Sequence, residues 1–113
     1  MDGFSAFRPG GRTAMLLGST LSPLPNVMMS TRPQGDITYL IGNAGANDAF
    51  VGYGMTSGAA NANAAVPVAG AAVECLYVPA FSVQSFTLTP MLFFAAQTPQ
   101  GNTQLFITPG DGV

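Results

Sequence analysis

The chain has 113 residues, enough for one domain, and 48% of them are hydrophobic while only 7% are charged, against about 25% in ordinary soluble domains. Three basic residues (Arg8, Arg12 and Arg32, with no lysine) against five acids leave a net charge of −2, which excludes the clustered cations that nucleic-acid binding needs. The absence of histidine removes the commonest proton carrier near neutral pH, and the single Cys75 excludes an internal disulfide.

Residues 1–12 have no regular period and read as an extended N-terminal arm around Pro9-Gly10-Gly11. Phe4 and Phe7 have no local apolar partners there, and Arg8 and Arg12 flank the turn. These four residues are the candidate partner-binding residues, the rings for apolar grooves and the guanidinium groups for carboxylates of a neighbouring subunit. The start Met1-Asp2-Gly3-Phe4 lacks the basic and apolar regions of a signal peptide, so no export is expected.

Residues 13–113 read as a single antiparallel β domain. Residues 13–17 form a first strand, and Pro23 and Pro25 then force an irregular connection to a short edge strand at 27–29. Residues 37–41, Ile-Thr-Tyr-Leu-Ile, are rich in β-branched and aromatic side chains. The turn formers of 43–48 predict a hairpin that returns along 49–53, with the glycines around it as corners. Between 54 and 72 nearly everything is Gly, Ala, Ser or Asn, and one helical turn at 60–65 would be unstable alone, so the segment reads as a long loop.

Strands at 73–78, 83–88, 92–97 and 103–108 follow, separated by proline-containing turns, and the chain is expected to end in a short loop. A spacing of about ten residues between strands is the mark of a sandwich or barrel. Phe86 and Leu88 alternate with Ser85 and Thr87, and Leu105 and Ile107 with Gln104, Phe106 and Thr108, as in strands buried on one side. The fold class is therefore all-β, an antiparallel β-sandwich of jelly-roll-like form with an extended N-terminal arm. Residues 49–73 and 75–110 carry no charge, but Pro67, Pro79, Pro90 and Pro99 interrupt them, so no membrane span is expected.

Chemistry is sparse. Cys75 is the remaining nucleophile, lies in an apolar run and reads as a small core residue. One Cys and no His exclude the usual zinc sites, and Asp36, Asp48, Asp111 and Glu74 show no calcium-loop spacing. We therefore expect no enzyme activity, no cofactor, no metal and no small-molecule substrate. A surface this short of ionic groups repels its neighbours weakly, so the composition points to a subunit completed by association.

The segments Ile41-Gly42-Asn43-Ala44-Gly45, Ala49-Phe50-Val51-Gly52-Tyr53-Gly54, Val78-Pro79-Ala80, Leu92-Phe93-Phe94-Ala95-Ala96-Gln97 and Thr108-Pro109-Gly110-Asp111-Gly112 stand in this order. Over about residues 37–113 the pattern resembles small β-rich structural proteins of tailed bacteriophage virions, of the decoration or cement type. Phe81 stands where that pattern usually has glycine. The resemblance implies a virion component on the outer capsid surface, made in the host cytoplasm. Its partners would be the major capsid protein and copies of itself, as a homodimer or homotrimer. A head-fibre base or a neck or tail component is the alternative within that setting, and a carbohydrate-binding β module is the alternative of another class.

Overall fold

The computed structural model describes residues 8–9, 12–20, 26–29, 36–73 and 75–111. Its strands are β1 (Arg8–Pro9), β2 (Ala14–Gly18), β3 (Asn26–Met28), β4 (Ile37–Asn43), β5 (Ala49–Gly54), β6 (Cys75–Val78), β7 (Val83–Leu88), β8 (Phe93–Gln97) and β9 (Thr103–Asp111), with one helix, α1 (Ser57–Asn63), between β5 and β6. They form two antiparallel sheets packed face to face. One has the order β1-β9-β4-β7, with β2 also paired to β9, and the other β3-β8-β5-β6. The all-β sandwich predicted from strand periodicity is thus the architecture.

The core lies between the sheets and comes from the alternation within strands. Tyr39, Ile41, Leu105 and Ile107 of one sheet meet Val51, Val78, Phe94 and Ala96 of the other, all fully buried. Tyr39 and Phe94 cross the interlayer space edge to face, centroids 5.0 Å apart at 67°, the arrangement ring quadrupoles favour. The buried phenol satisfies its hydroxyl by donating to the Thr89 carbonyl at 2.9 Å. At one corner the layers join directly: Ser19, just past β2, accepts from Thr98 N at 3.1 Å and donates to Ala96 O at 3.4 Å, so the end of β2 runs into β8.

Four expectations need correction. First, β4 and β5 do not form a hairpin: β4 pairs with β7 and β9, and β5 with β6 and β8 in the opposite sheet. Residues 44–48 cross between layers, held by the buried amide of Asn43. Its Nδ2 donates to Asn47 O (2.9 Å) and Val78 O (3.1 Å), and its Oδ1 accepts from Gly45 N (3.0 Å) and Thr103 Oγ1 (2.6 Å). A Cβ on Gly45 would collide with Thr103 Oγ1. Glycine is required there for close approach of two layers, not for a tight turn.

Second, the expected loop contains α1. Thr56 caps it, with Oγ1 accepting from Ala59 N at 3.1 Å. Its alanines press onto the outer side of β5, where a Cβ on Gly52 would overlap the backbone of Ala60 and Ala64, and one on Gly54 would overlap Ala59. A seven-residue helix too short to persist alone is stable here because Ala60 and Ala64 are buried against Ala95 and Phe93. The same packing makes Gly52 and Gly54 strand residues beneath a helix rather than hairpin corners.

Third, the residues after Thr108 expected as loop are strand as far as Asp111, since β9 pairs there with β4 and with Arg8–Pro9. Fourth, Cys75 is half-buried rather than a core residue; it faces Gly52 across the β5–β6 ladder.

Candidate interaction surface

The two outer faces of the sandwich differ. On the four-stranded sheet α1 covers the centre, anchored by Asn26 Nδ2 to Asn61 Oδ1 (3.2 Å), Asn63 Nδ2 to Tyr53 O (3.0 Å) and Val66 N to Gln97 Oε1 (2.9 Å). Among the described residues no element covers the other sheet. Its register aligns Met15 of β2, Phe106 of β9, Gly42 of β4 and Val83 of β7 in one row straight across the strands. Met15, Phe106 and Val83 are 52%, 40% and 66% exposed, and the missing side chain at Gly42 leaves a notch between Phe106 and Val83.

The next row, Thr108, Leu40 and Ser85, is uncharged as well, with Thr13 and Thr108 hydroxyls 2.6 Å apart at its end. Strands β2, β4 and β7 contain no Asp, Glu, Lys, Arg or His. An uncharged plate with an apolar stripe is the composition of an interface core rather than of a solvated face.

At one end of this plate stands the turn from Pro79 to Ser82, closed by Ser82 N donating to Pro79 O at 3.2 Å. Its third residue, Phe81, is in the left-handed region at φ 56° and is 72% exposed. Glycine is the residue that meets this geometry without strain, so Phe81 holds a costly backbone conformation and receives little burial in return. Neighbours enforce the geometry: Asp48 Oδ1 accepts from Ala80 N (2.9 Å), Asp48 Oδ2 accepts from the Tyr77 hydroxyl (3.1 Å) and Gly45 O accepts from Phe81 N (3.3 Å). Tyr77 in turn stacks on Phe50, centroids 5.2 Å apart. Strain that the surroundings over-determine is characteristic of functional positions.

Of the residues predicted to bind a partner, Phe4 and Phe7 lie outside the described residues. Arg8 contributes its backbone to β1, opposite Asp111 of the same chain, and Arg12 is exposed just ahead of β2. The described part of the expected arm thus includes a strand in the chain's own sheet. Met15, Phe106, Val83 and Phe81 were not among the predicted residues. The alternation around Phe106 was readable, but that the row is left uncovered depends on which face α1 occupies.

Chemistry elsewhere is limited. Burial pushes the Cys75 thiol above its ordinary value, keeping it protonated and weakly nucleophilic near neutral pH. Among the described residues no three metal-ligating side chains come together, and no helix is long and apolar enough to cross a membrane. The chain matches no family model, no curated protein and no solved structure.

Proposed function

We propose that this protein is a structural assembly subunit, a capsid decoration or cement protein that binds and bridges major capsid subunits and stabilises the head. The observation that carries the reading is the row of Met15, Phe106 and Val83, exposed and aligned across an outer face of the five-stranded sheet that no described element covers. The work is mechanical: apolar burial at about 25 cal/mol per Å², repeated over many copies, resists the pressure of packaged genome. The segment ahead of β1 brings Phe4 and Phe7 to grooves on a neighbour, with Arg8 and Arg12 near carboxylates.

The sandwich in this reading is a jelly roll. With β1 merged into β2, the eight strand positions run 1-8-3-6 in one sheet and 2-7-4-5 in the other, the interleaved Greek-key order of that fold, which viral capsid domains use widely. The phage-like motifs over 37–113 favour the virion setting. A copy count of this chain in purified particles tests it: hundreds per particle fit a cement protein, about a dozen fit a neck or tail part, and absence from particles overturns the virion reading. Replacing Phe106 by Ser leaves the fold intact in this reading and lowers occupancy on particles.

A further inference from the structure

We propose that β7 is a self-pairing edge, through which two copies of this chain join their five-stranded sheets into one continuous sheet across a two-fold axis. This rests on the assembly reading above and names the surface and the partner. Among the described residues β7 pairs with β4 alone, so it closes its sheet on one side.

The direction of its free backbone groups follows from the ladder. Asn43 N donates to Ser82 O at 2.8 Å, and these two residues continue the β4–β7 register. In an antiparallel pair, hydrogen-bonded and non-bonded positions alternate. Gln84, Phe86 and Leu88 therefore turn their backbone groups toward β4, and Val83, Ser85 and Thr87 turn theirs to the open edge. The other side of β4 agrees, since Ala44 N donates to Gln104 O at 2.9 Å in the β4–β9 register.

Such an edge invites another strand unless it is short, charged, bulged or interrupted by proline. The edge strands β3 and β6 have three and four residues, and β2 runs out into β8 through Ser19. Strand β7 has six residues, Val-Gln-Ser-Phe-Thr-Leu, with no charge and no proline, and its ladder with β4 is regular throughout.

The occupant is a second copy because of what an antiparallel two-fold does to side chains. With Ser85 opposite its own symmetry mate, Val83 faces Thr87 and Gln84 faces Phe86 across the axis. No like charges are brought together anywhere on this ladder, where directly opposite like charges would be destabilising. The half-buried Phe86 and Leu88 at the rim of the core gain cover from the partner strand. Phe81 extends beyond β7 toward the partner's opposite end of that strand, where Met91 holds a second left-handed non-glycine backbone at φ 62°.

Sedimentation velocity on the intact chain tests this. Wild type sediments as a dimer. Ser85→Asp sets two carboxylates against each other on the axis and raises the dimer dissociation constant at least tenfold; Ser85→Lys does the same, and an equal mixture of the two variants restores the dimer. Ser85 is exposed, so both variants fold, which circular dichroism confirms.

In a Cys75→Ser background, Ser85→Cys forms an interchain disulfide on mild oxidation, since Cα atoms of a hydrogen-bonded pair lie about 5.5 Å apart, while Thr87→Cys, opposite Val83, does not. A wild-type chain that associates undiminished by Ser85→Asp and without Ser85→Cys crosslinking overturns the edge proposal and leaves the assembly reading standing. A monomeric wild type overturns the edge proposal too, and absence from particles as well removes the reading beneath it.

Discussion

Asn43 shows how much one side chain can organise when it is buried and fully satisfied. Both of its donors and its carbonyl oxygen are used, and they tie the end of β4 to the crossing segment, to Val78 at the end of β6 and to Thr103 at the start of β9. Truncation removes these bonds and strands Val78 O and Thr103 Oγ1 in a dry place, at about 1 kcal/mol or more each. Asn43→Ala is expected to lose roughly 2–4 kcal/mol in urea unfolding. Phe81 is the opposite case, a large ring that contributes little to the isolated fold. Phe81→Gly relieves the left-handed strain of about 1 kcal/mol and adds a comparable unfolded-state entropy, so unfolding midpoints should stay near those of the parent while occupancy on particles falls.

The brace beneath that turn can be read by its titration. The hydrogen bond to Asp48, then desolvation and the carboxylate's charge, raise the Tyr77 phenol above its ordinary value. A raised value means the protonated phenol is the form the fold favours. Its contribution is complete below the ordinary value near 10 and is lost as pH climbs through the folded value. The difference in phenolate absorbance between the parent and Tyr77→Phe should therefore place the Tyr77 ionisation above the ordinary value, and Asp48→Asn should return it toward the ordinary range.

Among elements, the strands were readable where they alternate. β7 and the first part of β9 have the predicted alternation, with Phe86 and Leu88 turned inward and Leu105 and Ile107 fully buried. The 27–29 strand also proves to be a short edge strand, Asn26–Met28, paired among the described residues with β8 alone. The separation of β4 and β5 into opposite sheets was not readable, because Asn43, Gly45 and Asn47 are the residue types of both a hairpin turn and a layer-crossing corner; Thr103, distant in sequence, makes it the latter. Nor was α1, whose stability resides in the alanine-to-glycine contact with β5. Gly52→Ala forces a methyl group into that helix backbone and is expected to cost about 1–3 kcal/mol, with faster hydrogen exchange at the Ala60 and Ala64 amides, which bond within and at the end of the helix.

At the scale of the whole molecule, the sandwich has one outer face closed by its own helix, and among the described residues nothing covers the other. In the proposed assembly the open plate bears on capsid subunits and the β7 edge on a second copy, so the two surfaces meet at Val83 and do not compete. All-β class and the positions of most strands follow from local chemistry, because alternation and turn residues are carried by neighbours in the chain. Sheet membership, the helix and the bare apolar row were decided only in three dimensions. Each depends on residues far apart in sequence, Asn43 with Thr103, Gly52 with Ala60 and Ala64, and Met15 with Phe106 and Val83, whose meeting no local pattern encodes.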